Sequence, residues 1–110
     1  MNDKISPASA VTPKIIEDWK KANPRGIWEL KVYNEDETEN KTGYVRKPTR
    51  LELSAALTIK NDPLKQAAEI LNDCWLGGDD ELLNDEDYSQ GALAQFSELM
   101  EVRKGEIKKL

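Results

Sequence analysis

Cations and carboxylates are the side chains this sequence offers for chemistry. It holds 16 Lys and Arg against 21 Asp and Glu, with no histidine and a single cysteine, Cys74. A Ser-His-Asp or Cys-His nucleophile is therefore excluded. So are an intrachain disulfide and a structural zinc site built from Cys and His. Paired carboxylates remain as a general acid and base or as magnesium ligands, but the acids fall mostly in segments that read as turns. The densest group is Asp79, Asp80, Glu81, Asp85, Glu86 and Asp87. It lacks the D-x-[DN]-x-[DN]-G spacing of an EF-hand calcium loop. Its plain reading is a solvated loop running into a helix whose first turn favours negative charge. The expectation is a protein that is not an enzyme and uses no metal or cofactor.

The most basic stretch is "GYVRKPTRLELSAAL", Gly43 to Leu57. Arg46, Lys47 and Arg50 stand there beside Tyr44, and two readings remain open. In one, Arg46 and Lys47 finish a strand with charges that discourage edge-to-edge association. In the other, the cations form a surface for a carboxylate-rich partner. Trp28, Tyr44, Arg46, Lys47 and Arg50 are the candidate contact residues. Trp19, Trp28 and Trp75 each fall on the apolar side of an expected element and read as core. Cys74, on the same face as Trp75, reads as a small buried apolar residue. General nucleic-acid binding, which draws its affinity from neutralised phosphates, does not suit a net charge of −5. The imbalance is uneven: residues 1–60 carry +2 and residues 61–110 carry −7.

The elements that must position these residues can be read in order. Residues 1–11 have no hydrophobic period and read as a flexible N-terminal tail; residues 12–110 read as a single α+β domain, a normal size for one core. Thr12 can cap a short helix with Pro13 at its first position. In "GIWELKVY", Trp28, Leu30 and Val32 alternate with Glu29 and Lys31, the period of a strand with one buried face. The polar "NEDETENKTG" reads as a long hairpin loop, and "YVRK" as the return strand, stopped by Pro48.

Thr49 and Glu52 then match a capping box. Leu51, Ala55 and Ile59, with Leu57 flanking, form the apolar face of the helix that follows. Asp62 and Pro63 open another helix. Its stripe of Leu64, Ala67, Ala68, Leu71, Cys74 and Trp75 runs to a Gly77-Gly78 stop. Asn84 caps a last helix with a stripe through Tyr88, Ala92, Gln95, Phe96, Leu99, Arg103 and Ile107. The predicted order is one short helix, a two-stranded antiparallel β-hairpin, then three helices. No apolar run reaches the length a membrane helix needs, and "MNDKISPASAVTP" lacks the apolar centre of a secretory signal. A cytoplasmic protein with no membrane partner is expected.

Three segments carry a resemblance: "GYVRKPTRLELSAAL", "DPLKQAAEILNDCWLGGDDEL" and "LMEVRKGEIKKL". Together they resemble a family of small phage and prophage proteins, the tail assembly chaperones. The likeness spans about residues 14–110, with "YVRKPTR" and "CWLGGD" as its most specific pieces. The resemblance implies a non-enzymatic protein that coats a helical tape-measure protein in the host bacterial cell and keeps it soluble during tail assembly. It implies no cofactor and no defined site residues. A homo-oligomer would suit such coating. Competing readings are a phage-derived adaptor or regulatory protein, or a minor structural protein. Either would bind another protein through the hairpin or a helical groove. A nucleic-acid-associated role for Arg46, Lys47 and Arg50 is a further competitor.

Overall fold

The structure, a computed structural model, describes residues 5–100 and 106–110. It is a mixed α+β arrangement of five helices and a three-stranded antiparallel sheet. Helix α1 spans Pro13–Ala22, capped by the Thr12 hydroxyl, which accepts from Ile15 N. Strands β1 (Ile27–Tyr33) and β2 (Asn40–Arg46) form the expected hairpin, with Leu30 opposite Gly43 and Trp28 opposite Val45. The loop is shorter than the sequence suggests, because the polar residues Asn40 to Gly43 are strand. Asn34 closes it: its N–H donates to Glu39 O and its side-chain oxygen accepts from Glu39 N.

Helix α2 (Arg50–Ala56) has both halves of the predicted capping box between Thr49 and Glu52. Helix α3 (Pro63–Cys74) is capped by Asp62, as expected, but stops sooner than its apolar stripe suggests. Trp75–Gly78 is a third strand, β3, antiparallel to β2, which makes β2 the centre of the sheet. Glycine makes this strand possible. Gly78 sits at φ +129°, and a Cβ there would lie 2.5 Å from Thr42 O. A Cβ on Gly43 would enter the Trp75 ring. Two backbones and an indole therefore close on one another where no side chain could stand.

The acidic segment expected as loop contains a short helix, α4 (Glu81–Asn84), followed by α5 (Glu86–Ser97). Asp85 rather than Asn84 caps α5, accepting from Asp87 N and Tyr88 N. The last helix is also shorter than its stripe: α5 ends at Ser97 and a 3-10 turn follows to Met100. Arg103 lies outside the described residues, and Ile107 is fully exposed beyond the helix.

The core lies between one sheet face and α3, α4 and α5. Leu30 and Val45 come from the sheet, Leu71 and Cys74 from α3, Trp75 from β3, Leu82 from α4, and Ala92 and Phe96 from α5. Alternation places Glu29 and Tyr44, which pair across the strands, on the opposite face. There Tyr44 meets Trp19 of α1, with ring centroids 5.7 Å apart.

Both outer edges of the sheet are engaged. At β1, the Gln95 side chain receives Lys31 N–H at 3.1 Å and donates to Lys31 O at 2.6 Å, as a neighbouring strand would. At β3, Ile5 pairs in parallel with Gly77, and Gly78 N donates to Ile5 O at 2.7 Å. Residues expected as tail thus carry backbone bonds to the sheet. Asp79 ties them further, accepting from Ala8 N with one oxygen and from Thr42 N with the other, both at 2.9 Å. Among the described residues, no helix is long and apolar enough to cross a membrane.

Candidate functional site

The basic stretch resolves into a junction and an outer face. At the end of β2, the Arg46 guanidinium forms a bidentate pair with Glu52, at 2.8 Å from Nη1 to Oε1 and 2.6 Å from Nη2 to Oε2. The same group donates to Asp73 O at 3.0 Å and Lys47 O at 3.2 Å. Glu52 Oε1 meanwhile accepts from Thr49 N at 2.9 Å, completing the cap of α2. One ion pair therefore joins the end of β2, the start of α2 and the end of α3. Its fork-to-fork geometry is the strong form of such a pair.

The electrostatics follow from this packing. Arg46's hydrogen bonds hold the Glu52 carboxyl down to about 2, against the partial cost of burial. Glu52 in turn raises Arg46. Cys74 Sγ lies 3.8 Å from Arg46 Nη1, yet burial, followed by the Glu52 charge, pushes its thiol up to about 12. A thiol in that state is neither a nucleophile nor a ready metal ligand. Tyr44 is raised by burial first and by Glu29 second.

The five contact residues suggested by the sequence are not brought to one surface. Trp28 packs its half-buried ring against the core, and Lys47 sets its ammonium 5.6 Å from the centroid of that ring. This is cation–π range. Tyr44 is on the other sheet face against Trp19. Arg46 is held in the junction. Arg50, the first residue of α2, is exposed and makes no ion pair among the described residues.

Of the face that the sequence reading puts inward on α2, Leu51, Ala55 and Leu57 are exposed, while Ile59, beyond the end of the helix, is half-buried. Ala56, with 2% exposure, is the buried residue of this helix, and Glu52 lies on the same side one turn earlier. At 3.6 residues per turn, Leu51 and Ala55 then fall on the outward half, together with Arg50, Ser54 and Leu57. Leu51 is 79% exposed and Leu57 is 72% exposed. Leu64, in the first turn of α3, is 71% exposed, although its spacing assigned it to the buried stripe. Leu51 and Leu57 on one segment and Leu64 on the next are among the large apolar side chains left in water. These three leucines are the functional candidates that periodicity missed. The signal that finds them is Glu52: a carboxylate tied to Arg46 must face inward, which turns Leu51 out.

A shallow groove between α3 and the α4–α5 pair is lined by Ala68, Leu71, Leu82, Leu83 and Leu93 among others. Among the described residues, no group of three or more His, Cys, Asp or Glu is placed to hold a metal ion. Comparison of the chain with protein-family models, curated proteins and solved structures finds no match.

Proposed function

We propose that this protein works by covering apolar surface on another polypeptide, as a tail-assembly-chaperone-like protein that keeps a helical tape-measure protein soluble. The observation carrying this reading is the outward leucine set of α2 and α3. Leu51, Leu57 and Leu64 remain in water although the chain has a formed core, and water contact costs each of them about 1.5–3 kcal/mol relative to full burial. A partner helix with apolar anchors at i, i+3, i+4 and i+7 would remove that cost. The net charge of −5 would keep a coated complex dispersed by like-charge repulsion.

Within the protein-binding readings, a helical face is favoured over the hairpin edge. Lys31 already has its outward backbone groups matched by Gln95, so a strand adding to β1 must first displace that amide. The tape-measure client comes from the resemblance, and a direct test is co-expression. The long product of the gene immediately downstream should move from the pellet to the supernatant in the presence of this protein. A client equally insoluble with and without it would remove the reading.

A further inference from the structure

Strand β1 is an outer edge of the sheet, and the Gln95 amide covers only part of it. Gln95 takes the N–H and C=O of Lys31, which fixes the parity of the strand: Lys31 turns its backbone groups outward, and by the two-residue period so does Glu29. Beside Glu29 lies an opening of about 190 Å³, lined also by Trp28, Leu30, Gln95, Glu98 and Leu99. The side chains of Glu29 and Lys31 stand on the sheet face away from Leu30 and the core, 3.7 Å apart and about half exposed. The free edge of β1 thus shows one negative and one positive side chain on the two residues whose backbone also faces out.

Independently of the apolar-cover reading above, we propose that β1 pairs antiparallel with β1 of a second copy of this chain, about a two-fold axis at Leu30. In that register Glu29 of each copy lies opposite Lys31 of the other. Both residues turn N–H and C=O toward the partner strand, as a hydrogen-bonded pair requires. Charge selects this register over its neighbours. A slide of two residues one way sets Glu29 against Glu29, and the other way Lys31 against Lys31; like charges directly opposite destabilise a strand pair. A slide of one residue breaks the match of backbone groups and of faces. Gln95 is the guard of the edge: its bonds to Lys31 hold the place of a strand and are given up when one arrives. The resulting contact is isologous, the self-complementary patch that a two-fold dimer needs, and it joins the two sheets into one.

The test is analytical ultracentrifugation of the full chain at low salt. The native protein should show a monomer–dimer equilibrium, which Gln95→Ala shifts roughly tenfold toward the dimer. Glu29→Lys alone and Lys31→Glu alone should each weaken the dimer roughly tenfold, because like charges then meet at both pairs. An equimolar mixture of these two variants sets opposite charges against each other again and should dimerise at least as well as the native protein. A mildly oxidised mixture of Glu29→Cys and Lys31→Cys should link one variant to the other in preference to either with itself. Glu29 and Lys31 stand outside the core, so the charge variants read the edge even where Gln95→Ala fails to fold. Monomers in all cases at high concentration overturn the proposal. A mixture no tighter than either charge variant alone overturns the register and the proposal with it. A dimer that ignores the charge variants but is lost in the combined Leu51→Ser, Leu57→Ser, Leu64→Ser variant also overturns it, and gives the contact to the leucines. Client solubility in co-expression reads the apolar-cover proposal separately, so either can fail without the other.

Discussion

On the inward side of α2, Glu52 meets a complete set of partners; on the outward side, Leu51 and Leu57 meet water. The helix turns a charge toward the body and its largest apolar groups away from it. That inversion holds because the inward charge is fully matched. A bidentate guanidinium and a backbone N–H satisfy the carboxylate, so it tolerates partial burial. Nothing comparable compensates the leucines, whose exposure is a cost to the isolated molecule. The comparison teaches where to look for each role: the junction holds the fold together, and the outer face is available for work.

The largest effect should come from breaking the junction. Arg46→Ala leaves Glu52 without its cation and strands Asp73 O, and about 2–4 kcal/mol of stability should be lost in urea unfolding. An unchanged midpoint would mean the pair does not hold the three elements. Glu52→Gln should cost about 1–3 kcal/mol at neutral pH.

That variant also tests the acid response. Glu52 titrates lower in the folded protein than its ordinary value of 4.5, at about 2. Its contribution is therefore fully present above pH 4.5 and is lost as pH falls toward 2. The native protein should lose stability through that window more steeply than Glu52→Gln does, as read from thermal melts at each pH. Parallel curves would show that Glu52 is not the depressed group.

Gln95→Ala should have a smaller effect, about 1–2 kcal/mol, with a gain in concentration-dependent association as Lys31 regains an open edge. The smallest stability effects belong to the outer face. Leu51→Ser, Leu57→Ser and Leu64→Ser should each shift stability by less than about 0.5 kcal/mol. A loss above about 2 kcal/mol at any of them would erase the contrast between the two sides.

What the sequence makes legible here is local. The caps at Thr12, Thr49 and Asp62 depend on residues three apart and appear as read. So does the alternation of Trp28, Leu30 and Val32, because one buried sheet face enforces it. Strand β3 was hidden because Trp75 continues the i+4 step from Leu71, and Gly77-Gly78 has the composition of a helix stop. Its strand character comes from distant neighbours, namely β2 on one side and Ile5 on the other. The face of α2 was misread for a related reason. Glu52 has a local role as a cap and a longer-range role as the partner of Arg46, and only the second sets the helix rotation. At the candidate site, the identities of Arg46, Lys47 and Arg50 were visible, but their separation into one half-buried pair, one ring contact and one cation without an ion pair among the described residues was not.

Asp79 carries a consequence for how the chain is made. Its carboxylate accepts from Ala8 N across a separation of 71 residues. At a synthesis rate of about 5–20 residues per second, Ala8 waits on the order of ten seconds for that acceptor to exist. Ala8 is thus made long before its partner, and a nascent chain halted before β3 would hold its hairpin with the central strand still open on one side.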